Sequence, residues 1–316
     1  MLALVAGAPA QDKPEKKRPQ TPAKYDITKI GDRGIGGGLN LYSLKRERQM
    51  GEQLAAQVEA QVRLLRDPLI AEYVNRLTQA IVRNSDAKVP FTVKVIDNDE
   101  VNAFALPGGF LYVESGLVLA AENEAQIAGV IAHEVAHVAA RHATKNSSRM
   151  EILNLASIPL IFVGGPAGYA VRQAMGLAVP ISFLKFSRNA EREADLLGME
   201  YMYTAGYDPT EMVQFFETLK YREEHKLSFI AKAFATHPMT KDRIKRAQKD
   251  IAKLLPERDE YVVTTSEFDA IKTRLAAIEQ SHQINAAPSD RPVLRRRPPR
   301  DRDEKDDGDR PTLRRP

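Results

Sequence analysis

Three of the six histidines in this 316-residue chain fall within ten residues, in Ile131-Ala132-His133-Glu134-Val135-Ala136-His137-Val138-Ala139-Ala140-Arg141-His142. Successive helical residues are about 100° apart, so His133 and His137 share one face about a turn apart and can grip a single ion. Val130, Ile131, Val135 and Val138 are apolar. The helix therefore runs through a core, where two unpaired imidazoles and a carboxylate would be costly. A zinc ion would satisfy them. Glu134 lies about 100° around from His133, beside the ligands rather than among them. That is the place of a general base activating a zinc-bound water, whose pKa zinc lowers to about 7. His142, nine residues from His133, is about 180° around the helix and should not be a ligand.

A catalytic zinc site usually takes three protein ligands and keeps a fourth position for water. The third must come from elsewhere. Asn189 to Gly198 carries Glu191 and Asp195 four apart on one face, while Glu193, about 200° from Glu191, points away. Small Ala190, Ala194 and Gly198 would let this helix approach the first closely. Glu191 is then the third ligand, and Asp195 the acceptor that orients a ligand imidazole.

The elements that must position these groups follow from the patterning. Two amphipathic helices come first, with Leu54, Val58, Val62 and Leu65 on one, and Ile70, Val74, Leu77 and Ile81 on the other after Asp67-Pro68. Phe91 to Asp97 alternates as a strand, and Asn102 to Leu106 and Phe110 to Val113 flank the turn Pro107-Gly108-Gly109. The zinc helix is expected over Glu122 to His142, and further helices over Ala190 to Ala205, Glu211 to Tyr221, Lys241 to Leu255 and Glu267 to Ile278. Leu153 to Phe186 is apolar but broken by Pro and Gly, so it reads as two short buried helices or a lid, with membrane insertion as the lesser alternative. The expected fold is α+β, mainly helical, with a small sheet beside the zinc-binding helix.

The ends are of another kind. Leu2 to Ala10 is apolar and ends Ala8-Pro9-Ala10, the small-residue pattern of a leader cut, and is too short to span a membrane. This points to export into the periplasm or cell envelope. Pro- and Lys-rich Gln11 to Lys24 and glycine-rich Gly31 to Gly38 read as an unstructured lead-in, so 1–40 is leader and linker. Residues 41–256 are expected to form the domain that carries the zinc site, 257–285 a helical extension and 286–316 a disordered charged tail. That tail holds 10 basic and 7 acidic residues from Ser289 on, a net +3 of the chain's +4, so the body is nearly neutral and no nucleic-acid partner is expected. With no Cys, thiolate metal sites and cysteine nucleophiles are excluded.

His133-Glu134-x-x-His137, followed by Glu191-x-x-Ala194-Asp195 after Ser187-Arg188, resembles the zinc metallopeptidase family of HtpX, the CAAX prenyl endopeptidases and the periplasmic BepA-like proteases. Asn102 to Gly109 is similar to the family's segment upstream of the zinc helix, and Thr236-His237-Pro238 with Arg243-Ile244 to its downstream element. The resemblance implies a gluzincin-type fold and a zinc metalloendopeptidase cutting protein or peptide substrates, here unfolded or misassembled envelope proteins. It makes His237 and Arg243 candidate oxyanion donors, with His237 alternatively a fourth zinc ligand in a resting state. Asn102, Ala103, Phe104 and Ala105 become either a sheet edge to which substrate adds as a strand, or an ordinary core hairpin. A peripheral membrane or outer-membrane assembly contact fits the same reading. BepA-like proteins also carry a helical-repeat domain, for which little room is expected here. The competing readings are a membrane-embedded peptidase, which needs long apolar spans, and a zinc-stabilised chaperone or assembly factor without turnover, against which an intact Glu134 argues.

Overall fold

The computed structural model describes residues 23–161, 186–224, 237 and 240–286. The leader, the tail and most of the apolar stretch 153–186 lie outside these residues. Two units divide at Ala277, and the first holds everything below. Of the second, the described part is the end of the last helix.

Two capped helices open the body. Ser43 accepts from the Arg46 amide at the head of α1 (Leu44–Glu59), and Asp67 caps α2 (Pro68–Arg83), whose first residue is the proline that fits there. Strands β1 (Thr92–Ile96), β2 (Ala103–Leu106) and β3 (Phe110–Glu114) form one mixed sheet in the order β1-β3-β2, parallel between β1 and β3 and antiparallel between β2 and β3. The β2–β3 turn needs left-handed backbone at Gly108 and Gly109, with φ of 77° and 89°. A Cβ on Gly108 would stand 2.6 Å from Arg48 Cα of α1. Leu106, Phe110 and Tyr112 bury one sheet face against Ala55, Leu54 and Val58 of α1. α2 and α4 cover the other face.

After the short α3 (Ser115–Ala120), α4 (Glu124–Ala139) is buried along its whole length, as a helix apolar nearly all round must be. Asn123 caps it by accepting from the Gln126 amide. It stops three residues earlier than its pattern suggested. Arg141 takes φ 58°, the left-handed region that a non-glycine residue rarely adopts, and His142 begins α5 (His142–Ile161). The guanidinium holds the break: Arg141 donates to Glu47 Oε2 at 2.7 Å and to the Tyr42 carbonyl at 2.5 Å.

α6 (Arg188–Ala205), capped by Ser187 and closed by Gly206 at φ 95°, makes the most extensive contact with α4. The small-residue stripe permits it, since a Cβ on Gly198 would lie 3.1 Å from the His133 amide nitrogen. α7 (Pro209–Glu224), α8 (Lys241–Leu254) and α9 (Ser266–Ala286) complete the shell. Among the described residues no helix is long and apolar enough to cross a membrane.

The glycine-rich lead-in is not loose where the structure describes it. Arg33 is buried and binds Asp86 Oδ2 at 2.5 Å and Glu200 Oε2 of α6 at 2.6 Å. Tyr201 donates to the same Asp86 carboxylate, and the Gly31 amide to its other oxygen. Gly36 lies on the C-terminal end of α4, where a Cβ would stand 2.7 Å from the Ala139 carbonyl oxygen. A single arginine in a glycine run carries little periodic signal, so composition alone suggested a linker.

Candidate metal centre

α4 delivers His133 and His137, α6 delivers Glu191, and His237 reaches in from the segment before α8. One donor atom from each of the four lies within 4.8 Å of all the others, and all four residues are buried. His137 Nε2 is 3.1 Å from His133 Nε2 and 3.6 Å from Glu191 Oε1. His237 Nδ1 stands 2.8 Å from Glu191 Oε1 and 3.4 Å from His133 Nε2.

Glu134 stands beside this group. Its Oε2 accepts the Ala105 amide at 3.0 Å, while its Oε1 makes no hydrogen bond and lies 3.5 Å from His237 Nε2, which makes none either. Burial is the main cause that raises the Glu134 pKa, against the opposing pull of the neighbouring imidazoles.

The remaining groups hold the first ones. Asp195 Oδ1 is 3.1 Å from His133 Nδ1. Arg243, placed in the first turn of α8 by the Thr240 cap, grips Asp195 through Nε at 2.8 Å and Nη2 at 2.6 Å. Its Nη1 is 3.1 Å from Glu191 Oε2 and donates to the His237 carbonyl at 3.1 Å. Arg243, a candidate oxyanion donor by resemblance, is directed in this structure at the Asp195 and Glu191 carboxylates and the His237 carbonyl. Burial works against protonation of His133, yet bonds to Asp195 and Glu191 push it up to about 9. Burial and the charges of its neighbours move His137 the other way, well below the usual histidine range. With their Nε2 atoms 3.1 Å apart, the two imidazoles can place only one proton between them, a conflict that a divalent cation accepting both lone pairs would remove.

The suggested substrate strand, β2, is an edge strand of the sheet. Phe104 pairs with Tyr112 and its ring stacks on that of Tyr112 at 5.1 Å, whereas Ala103 and Ala105 turn their backbone groups away from β3, the Ala105 amide onto Glu134. The Asn102 carbonyl oxygen accepts the Glu114 amide as part of the ladder, and the Asn102 side-chain Oδ1 is buried without a hydrogen bond.

His142 and Glu193 were set aside on helical angle. Glu193 does face away from the ligand face, but the break at Arg141 brings His142 back. Its Nδ1 lies 3.0 Å from His137 Nδ1 and its Nε2 3.2 Å from Glu193 Oε2, and Phe186 stacks on the His137 ring at 4.1 Å. No Gly or Pro marks that break, so a continuous-helix reading could not find this pair.

The family comparisons agree in scale. The profile of peptidase family M48 matches residues 66–251. The chain is 32% identical over 261 residues to the beta-barrel assembly-enhancing protease of Escherichia coli (strain K12), covering 80% of this chain and 52% of that protein. Its putative counterpart in Vibrio cholerae serotype O1 is 31% identical over 255 residues, covering 76% and 52%. The mitochondrial metalloendopeptidase OMA1 of Schizosaccharomyces pombe is 32% identical over 190 residues, covering 58% and 53%. The chain spans about half the length of the curated relatives it matches. The matched span holds His133, Glu134, His137, Glu191, Asp195, His237 and Arg243, every residue of the cluster just described, and the chain belongs to peptidase family M48.

Proposed function

We propose that this chain is a zinc-dependent metalloendopeptidase that hydrolyses peptide bonds of unfolded or misassembled envelope proteins in the periplasm, with His133, His137 and Glu191 as ligands. The observation that carries it is the buried convergence of three imidazoles and a carboxylate from three separate segments, with Glu134 alongside. Three nitrogens and one carboxylate oxygen suit zinc, and the unbonded Glu134 Oε1 and His237 Nε2 are what a site built around an ion and its substrate leaves behind. Zinc there would supply a Lewis acid that lowers the pKa of water to about 7 and polarises the scissile carbonyl.

The chain's own groups do the rest. Glu134, with its proton affinity raised by burial and one oxygen anchored on Ala105, takes a proton from the attacking water at Oε1 and returns it to the leaving amine. Asp195 sets the His133 tautomer, and Arg243 holds Asp195, Glu191 and the His237 carbonyl in place. With the Ala105 amide already held by Glu134, the outward backbone groups of Ala103 and the Ala105 carbonyl can pair with an extended peptide, which favours unfolded chains and leaves side-chain specificity weak. Assembling β-barrels, which the bacterial relatives' names mention, would supply such chains, and contact with an outer-membrane assembly apparatus is the matching partner.

An unfolded protein such as casein is expected to be cleaved by the zinc-loaded chain and spared after chelation, with cleavage restored by added zinc. A parent that binds zinc and never cleaves would favour the assembly-factor reading. His237 Nδ1 already stands among the ligand atoms, which supports the resting-ligand role over the oxyanion role. His237→Ala should therefore raise initial rates of casein cleavage. A fall of about 100- to 1,000-fold, the loss that follows removal of an oxyanion donor, would reverse that assignment.

A further inference from the structure

We infer that His142 is a positioning residue of the metal centre: it fixes the tautomer and orientation of His137 and is itself fixed by Glu193. The inference rests on the metal-site reading above. His137 turns Nε2 toward His133 and Glu191, so that nitrogen must keep its lone pair for the ion and the ring proton must sit on Nδ1. That Nδ1 lies 3.0 Å from His142 Nδ1. Two ring nitrogens can share only one proton, so His142 accepts at Nδ1 and carries its own proton on Nε2. The Nε2 is 3.2 Å from Glu193 Oε2, an acceptor, and the other Glu193 oxygen takes Lys24 Nζ at 2.6 Å. Each link leaves one allowed proton placement for the next.

The two ligand imidazoles are thereby held in different ways. His133 leans on the Asp195 carboxylate with Arg243 behind it, and His137 on a neutral imidazole with Glu193 and Lys24 behind it. The device depends on the break in the helix. On a continuous α4, His142 would stand about 140° from His137, and only the left-handed Arg141 brings the two rings to 4.9 Å.

Zinc affinity is measured on the full chain by competition with a chromophoric chelator, for the parent, His142→Leu and His142→Asn. Asn places an acceptor oxygen near the position of Nδ1, and Leu places none. The expected result is zinc binding weakened about 10- to 100-fold in His142→Leu and largely recovered in His142→Asn, the scale usual for outer partners of metal-bound histidines. Equal affinity in parent and His142→Leu overturns the inference while leaving the zinc site standing, whereas a parent that binds no zinc overturns the site itself. Nitrogen-15 histidine spectra of the zinc-loaded parent give a reading independent of variant folding. A proton on His137 Nδ1 and on His142 Nε2 supports the chain of hydrogen bonds, and a proton on His142 Nδ1 refutes it.

Discussion

Glu134→Gln is expected to lower kcat for an unfolded protein substrate by about 100- to 10,000-fold, the range for losing a general acid–base group, while the chain still binds one zinc. Glu134 is outside the set of four converging donors, so the metal does not depend on it. A glutamine keeps the shape and can still accept the Ala105 amide through its carbonyl oxygen, but it has no basic site for the proton. Stability moves the other way or not at all. The native carboxyl has a raised pKa, so folding favours its protonated form and its charge costs stability as pH climbs above the unfolded value. The amide carries no such cost, and the chelated variant should unfold at no lower urea concentration than the chelated parent. Retention of activity within tenfold, with zinc bound, would remove Glu134 from the chemistry.

Arg243→Met should have the largest effect on stability. The guanidinium is buried and neutralises Asp195 and Glu191, both buried too. Removing one partner of such a group leaves an uncompensated charge, at a cost of about 3–5 kcal/mol. The loss should be greatest in the chelated chain, because a dication next to Glu191 compensates part of the missing positive charge. Urea unfolding of chelated and zinc-saturated variant and parent measures both. A loss under about 1 kcal/mol in the chelated chain would mean that Arg243 serves the substrate rather than the frame.

Much of the centre was legible because it is local. His133, Glu134 and His137 lie on one helix in an apolar context, and the Ala190, Ala194 and Gly198 stripe announces a close helix contact that the structure makes at the His133 backbone. The three strands with their Pro-Gly-Gly turn were also readable, since two adjacent left-handed glycines tolerate little else. What escaped is non-local. The parallel pairing of β1 with β3, and the edge position of β2 that follows, depend on a register no periodicity encodes. The end of α4 was misplaced because Ala139, Ala140 and Arg141 are good helix formers, and tertiary bonds from Arg141 to Glu47 and Tyr42 outweigh that preference. Neither His142 nor Glu193 is among the four converging donors, as their helical angles implied, but the contact of His142 with His137 escaped because that angle holds only for an unbroken helix.

Arg33 makes the stretch ahead of Ser43 indispensable to the enzyme behind it. Its counterions, Asp86 and Glu200, are both buried, and Glu200 is on the same helix as Glu191. Trimming the chain back to the first long helix would strand two acids in the interior, one of them on the helix that carries Glu191. Shortened versions designed from composition alone would therefore lose grip on the metal from a residue that never touches it.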